Sequence, residues 1–282
     1  MKKLKGIEGR HELEWLGETV YTEFHATEES VKGTVLILHG LGDHIGRYAW
    51  ALELLLNAGY SVLGIDWPGC GNSSGIRGNL PRVDEAERLV GEILEKAEID
   101  PVGVLGHSTG GFYLVQFLVR GLPALSSLKW VWFSSPLLDP VHGQNPLKVF
   151  AAKLLVKVIP TFTLSTGVYP RDCFHTGGGP RSGNFAEGCH NRISLRFGED
   201  LLDEEKIAVA SAGKIRADLK ILVTQGAADH VCSPKLTEPF VNQLKAKSKA
   251  FLLISGSRHE PFREPESAPF FNHVRTWLSG RV

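Results

Sequence analysis

Six short apolar runs constrain this chain more than any other feature of its sequence: Thr34–His39, Ser61–Ile65, Val102–Leu105, Trp130–Phe133, Lys220–Thr224 and Ala250–Ile254, each bounded by Gly, Pro, Asp or Ser. The runs are continuous instead of alternating, and rich in Val, Ile, Leu and aromatics, as expected of strands covered on both faces. Stretches with helical patterning lie between and after them: Arg47–Asn57, Val83–Glu98, Gly110–Arg120, Ser233–Lys247 and Ala268–Ser279. Strands alternating with helices predict βαβ units and a mostly parallel twisted sheet, an α/β fold. Leu13–Ala26 alternates better and suits antiparallel edge strands.

One segment breaks the rhythm. Between Asp139 and Glu205, roughly 65 residues separate the fourth run from the fifth, far more than a crossover needs. The sequence therefore predicts a core of residues 1–138 and 206–282, with 139–205 inserted as a cap that selects the substrate. The insertion opens with Leu147–Ile159, where Leu147, Phe150, Leu154, Leu155, Val158 and Ile159 cover most of a helix circumference. Such a helix must be buried or must face something apolar. The stretch His175–Asn184 reads as a flexible glycine-rich loop, and it lacks the Gly-Lys-Ser/Thr ending of a phosphate loop.

The pattern G-x-S-x-G occurs twice, at Gly106–Gly110 and at Gly71–Gly75. Context separates the two. Ser108 follows the run Val102–Leu105 and precedes a helical stretch, which is the strand–turn–helix of a nucleophile elbow. Ser73 sits among Pro68, Gly69, Gly75, Gly78 and Pro81 with no helix behind it, and reads as a loop serine. A serine hydroxyl needs a base within reach and a third group to orient that base. In the elbow architecture these follow in the order acid, then histidine, after later strands. Asp229 follows Lys220–Thr224 and His259 follows Ala250–Ile254, so Ser108, Asp229 and His259 form the candidate triad. Asp139 is the rival acid, although capping the insertion's first turn is the role favoured for it. His230 competes with His259 but precedes the final strand, and His107 fills space inside the elbow. The candidate oxyanion donors are the backbone N–H groups of Thr109 and of Leu41, in the loop after the first buried strand.

A dinucleotide site is the alternative from another class, because Gly40-Leu41-Gly42 follows a strand and Asp66 ends the next one. The spacing fails at Ile45, where G-x-G-x-x-G requires glycine.

The motifs together carry a resemblance. His39-Gly40-Leu41-Gly42-Asp43-His44-Ile45-Gly46-Arg47-Tyr48 resembles the H-G-x-G-E-H-x-G-R-Y opening of the monoacylglycerol lipase and lysophospholipase group of α/β-hydrolases. Asp66–Gly78 is similar to the group's D-x-x-G-x-G-x-S-x-G-x-R-G, with Cys70 where histidine is usual. The elbow has Thr109 in place of methionine, the acid loop and the His259-Glu260 pair match, and Arg171–Asn184 departs from the group. The resemblance implies the α/β-hydrolase fold and a serine esterase acting on monoacylglycerol or lysophospholipid acyl esters. It implies an acyl-enzyme on Ser108 and no metal or organic cofactor. The cap's apolar helix would suit an acyl chain or a lipid surface, or would simply pack on the core. N-terminal aminopeptidases, thioesterases and small-ester carboxylesterases share the fold and triad. A non-catalytic binding relative would leave the filled triad positions idle.

Composition narrows the partners. The 31 Lys and Arg balance the 31 Asp and Glu, which removes the long-range attraction expected of a nucleic-acid binder. The basic start, Met1-Lys2-Lys3-Leu4-Lys5-Gly6, is followed by Glu8, Arg10, His11, Glu12 and Glu14 where a signal core would lie, so a cytoplasmic location is expected. The four cysteines show no metal spacing. Cys173 and Cys189 lie close enough in sequence to approach one another, but free thiols are the expectation. Nothing in the letters indicates an oligomeric state.

Overall fold

The computed structural model describes residues 8–27, 31–140, 144–175 and 185–280, and the side chains of these except 205–209. The basic start and residues 176–184 of the expected glycine-rich loop lie outside the described residues. In chain order the elements are β1 (Gly9–Trp15), β2 (Glu18–His25), β3 (Thr34–Leu38), α1 (Ala49–Asn57), β4 (Ser61–Ile65), α2 (Val83–Ala97), β5 (Pro101–His107), α3 (Thr109–Arg120) and β6 (Trp130–Ser134). Then come α4 (Pro146–Leu155), β7 (Thr163–Ser165), α5 (Pro170–Cys173), β8 (Arg192–Ser194), α6 (Leu195–Ala210), β9 (Lys220–Gly226), α7 (Pro234–Gln243), β10 (Ser248–Ile254) and α8 (Ala268–Leu278).

Eight strands form one sheet in the order β1-β2-β4-β3-β5-β6-β9-β10. All neighbours from β4 to β10 are parallel, and β1 and β2 are added antiparallel at one edge. The runs from β3 to β9 are apolar because both faces are covered; β10, at the sheet's edge, departs from that expectation and is only half-buried, with Leu253 exposed. Along β3, Leu36 and Leu38 point into the core half that holds α2 and α3, while Val35 and Ile37 point into the half that holds α1 and α8. The chain moves from β3 outward to β4 and then returns to place β5 on β3's other side. That reversal opens a crevice at the carboxyl ends of the strands, where ligands bind in open α/β sheets.

The long segment between β6 and β9 leaves and re-enters at adjacent strands, which pair from Trp130↔Lys220 to Ser134↔Thr224. Its structure adds two things to the sequence expectation. A 16-residue helix, α6, spans the boundary expected near residue 205. It packs on α3, with the Phe197 and Tyr113 rings 5.9 Å apart, and so explains why α3 is apolar all round. Arg82–Asp200 and Arg120–Glu204 ion pairs of 3.2 and 2.5 Å tie α6 to the core. The second is α4, for which the sequence left core packing and an apolar partner both open. It buries no residue in the core, and Leu147, Phe150 and Val158 are 77%, 63% and 77% exposed. Packing on the core is therefore excluded for its outer face. Among the described residues no helix is long and apolar enough to cross a membrane.

Candidate active site

The parallel strands deliver the candidate residues to one edge. Ser108 sits between β5 and α3 with φ 53° and ψ −117°, a left-handed conformation that costs a non-glycine residue about 1 to 3 kcal/mol. The turn holds because its neighbours lock it. Ser108 N–H donates to Ser134 O at 3.0 Å, and the Ser108 carbonyl accepts from Leu137 N–H at 3.0 Å. Gly110 must be glycine, since a Cβ there would meet Leu38 O at 2.0 Å. The backbone on the other side is equally close: a Cβ on Gly40 would lie 3.1 Å from Ser108 Cβ.

Asp229 and His259 are both buried, and they meet, with His259 Nδ1–H donating to Asp229 Oδ2 at 2.8 Å. The carboxylate is held rigidly. Its Oδ1 accepts from the N–H groups of Val231 and Cys232 at 2.8 and 2.9 Å, and its Oδ2 also accepts from Gln225 Nε2 at 2.5 Å. Burial disfavours the His259 imidazolium, but the Asp229 carboxylate outweighs it and holds the pKa well above the ordinary histidine value. Ser108 and His259 line one cavity, and burial pushes the nearby Cys232 thiol up. Ser135, itself at φ 44°, donates from Oγ to His259 O at 2.8 Å and fixes the histidine loop.

Thr109 opens α3, so its N–H is one of the first-turn amides without an intrahelical carbonyl, at the positive end of the helix dipole. Leu41 follows β3 and lines the same cavity as Ser108, Thr109 and His259, a space of about 700 Å³. The competing residues fall elsewhere. Ser73 is buried, donates to Asp66 O at 2.6 Å and accepts from Tyr21 N–H at 2.8 Å. His230 is exposed. Asp139 lines the cavity, but Asp229 is the acid that His259 bonds. His107 is buried, with its ring 4.9 Å from that of His259, and its Nδ1–H donates to Ser134 O at 3.1 Å. Asp66 is engaged with the loop itself, accepting from Ile45 N–H at 2.7 Å and Asn72 N–H at 2.9 Å. All four cysteines are free thiols.

Sequence reasoning assigned no role to the clamp beneath these residues. Arg47 donates to Asp43 Oδ1 at 2.8 Å and to both Glu260 oxygens at 3.1 and 2.9 Å, joining the Leu41 loop to the residue after His259. Burial raises the cost of a charge at Asp43, yet Arg47 holds that carboxyl below its usual range, while Glu260, buried beside Asp43, is held above it. Arg47 is separated from Glu260 by 213 positions, so no local spacing points to the contact. Removing Arg47 leaves two buried carboxylates close together, with Asp43 held by the Tyr48 hydroxyl and the His44 N–H and Glu260 by the half-exposed Arg263 at 3.6 Å. Arg47→Ala is expected to lower stability by about 3 kcal/mol, measured by urea unfolding at pH 7.

Known proteins bear on the site. The profile of the family described as serine aminopeptidase, S33, matches residues 29–266. The crystal structure of the monoacylglycerol lipase of Paleococcus ferrophilus superposes with a TM-score of 0.81 and 31% identity, covering 93% of this chain and 99% of that one. Phospholipase YtpA of Bacillus subtilis is 26% identical over 254 residues, 86% of this chain and 93% of that protein. An uncharacterized abhydrolase domain-containing protein of Dictyostelium discoideum is also 26% identical, over 88% of this chain, but the match spans only 26% of that protein's length.

Proposed function

Because the chain belongs to the serine aminopeptidase S33 family of α/β-hydrolases, we propose that it cleaves fatty-acyl esters through an acyl-enzyme on Ser108. It is a carboxylic ester hydrolase of the monoglyceride-lipase-like group, and its substrate is a small ester or lipid. The observation that carries the mechanism is the 2.8 Å Asp229–His259 contact beside the strained turn at Ser108. Ser108 Oγ attacks the acyl carbonyl while His259 Nε2 takes its proton. The Leu41 and Thr109 N–H groups receive the tetrahedral oxyanion, each such donor being worth about 3 kcal/mol. His259 then gives the proton to the departing alcohol. Water, deprotonated by the same imidazole, attacks the acyl-enzyme and releases the fatty acid. Asp229 stays ionised throughout, fixing the Nδ1–H tautomer and stabilising the imidazolium.

The acyl ester assignment rests on the cavity's wall, where Leu137, Val149, Leu164, Ile193, Leu195 and Leu201 supply apolar surface. Monoacylglycerol and lysophospholipid are the substrates proposed, by likeness to a monoacylglycerol lipase and a phospholipase. The family's description favours a second reading, cleavage of an amide at a peptide N-terminus. A p-nitrophenyl ester series from acetate to laurate decides, run beside monoacylglycerol, lysophosphatidylcholine and an amino-acid anilide, with fluorophosphonate labelling of Ser108. Preference for the anilide overturns the lipid reading and leaves the triad; an unlabelled Ser108 overturns both.

We also propose residues 139–205 as the cap, with α6 as its fixed base and α4 as its outer surface. The apolar side chains exposed along and just after α4 suit the interface of a lipid assembly, where each would leave water. Replacing Phe150, Leu154 and Val158 together by Ser is expected to weaken partitioning onto phosphatidylcholine vesicles by about 100-fold. Sedimentation with vesicles measures this, and hydrolysis of a water-soluble butyrate ester should persist.

A further inference from the structure

The helical glycines of this chain divide into two kinds. At Gly110 and Gly111 a Cβ would collide, meeting Leu38 O at 2.0 Å and Pro136 Cβ at 2.9 Å, so the backbone itself requires glycine. Gly91, inside α2, and Gly198, inside α6, have no such requirement, and of the two only Gly198 lines the cavity that holds Ser108. A Cβ at Gly198 would meet only Ile193 Cδ1, at an ordinary contact distance of 3.8 Å. Glycine in a helix interior is less favourable than alanine, so the local structure gives no reason for it. What Gly198 faces is the large cavity. It lies on the same helix face as Leu195 and Leu202, which line that cavity too, and leaves a notch between them. Helix α6 packs on α3, whose first turn carries the oxyanion donor Thr109, and on α4, whose Val149 and Ala152 also line the cavity.

We infer that Gly198 sets the length of acyl chain the cavity admits, a specificity-determining position that rests on the acyl-ester reading above. An acyl chain running from Ser108 along the α6 wall uses the notch. A side chain at 198 would occupy that space and exclude methylenes from the apolar lumen. Each methylene kept out forfeits about 4-fold in binding, from the transfer free energy of one CH₂.

The experiment measures kcat/KM for p-nitrophenyl palmitate relative to butyrate in wild type, Gly198→Ala and Gly198→Leu. The palmitate-to-butyrate ratio is expected to fall about 4-fold in Gly198→Ala and about 15- to 60-fold in Gly198→Leu, for one and for two to three excluded methylenes. An unchanged ratio in both variants overturns the inference. If Gly198→Leu does not fold, Gly198→Ala decides alone, since alanine favours the helix. Calorimetric binding of palmitate to the same proteins needs no turnover. Palmitate binding that weakens with side-chain size at 198, in a protein whose wild type hydrolyses no ester, would remove the acyl-ester reading and leave the role of Gly198 standing. Binding indifferent to position 198, with normal ester hydrolysis, would do the reverse.

Discussion

Ser108→Ala is expected to reduce kcat for ester hydrolysis by roughly six orders of magnitude while leaving the protein folded. The hydroxyl is the only part of residue 108 that the proposed chemistry uses, and its removal leaves no oxygen to carry the acyl group. The backbone at this position is held by hydrogen bonds from its own N–H and to its own carbonyl, neither of which involves the side chain. Thermal unfolding should therefore show a folded protein, with the loss confined to turnover and to fluorophosphonate labelling. Turnover in Ser108→Ala within about 10-fold of wild type would end the acyl-enzyme proposal, because no mechanism through this hydroxyl survives its deletion.

Asp229→Asn is expected to lower kcat by about 10⁴-fold and to move the acid limb of the pH profile. The direction follows from the carboxylate's two effects on His259. Asp229 receives the Nδ1–H at 2.8 Å, which leaves Nε2 free to take a proton, and an amide in its place can present an N–H that favours the wrong tautomer. Asp229 also holds the His259 pKa above the ordinary value of 6.5, against the opposing effect of burial. The base works only when neutral, so wild-type kcat/KM should rise as pH climbs through that raised value. Without the carboxylate the pKa falls, and the residual activity should rise at lower pH than in wild type. A pH–rate series on both proteins reads the two effects together. An Asp229→Asn profile with an unmoved limb would mean that the acid titrating in wild type is not His259.

Much of this was legible in the letters, for reasons that can be stated. Strands buried on both faces must be apolar throughout, so β4 was readable to the residue and β9 to within two residues of its end; β10, half-buried at the sheet's edge, was found from its apolar residues with its start two residues short. The elbow was distinguishable from its decoy because only Ser108 stands between a buried run and a helix, and Ser73 is instead buried as a hydrogen-bonded loop residue. Asp229 and His259 were readable as the residues following two parallel strands, and adjacency of β9 and β10 brings their loops together. Helix α6 was missed because its stretch Gly198-Glu199-Asp200 and its acidic run at 203–205 obscure an apolar face that only contact with α3 explains. The clamp of Asp43, Arg47 and Glu260 was missed because its partners are distant in sequence, and the supporting contacts from Gln225, Ser135 and Cys232 have no characteristic spacing. For α4 the sequence left burial in the core and an apolar partner both open, and the structure shows its apolar side chains exposed.

The continuous pairing of β6 with β9 has an evolutionary meaning. Everything between Ser134 and Lys220 is the crossover that joins two parallel neighbours, and its length does not interrupt the ladder between them. Lengthening such an excursion costs only a logarithmic loss of chain entropy, about 0.6 kcal/mol per doubling. The outer part of the excursion, around α4, can therefore vary in length at little entropic cost, while α6 is held by its packing on α3 and its ion pairs to the core.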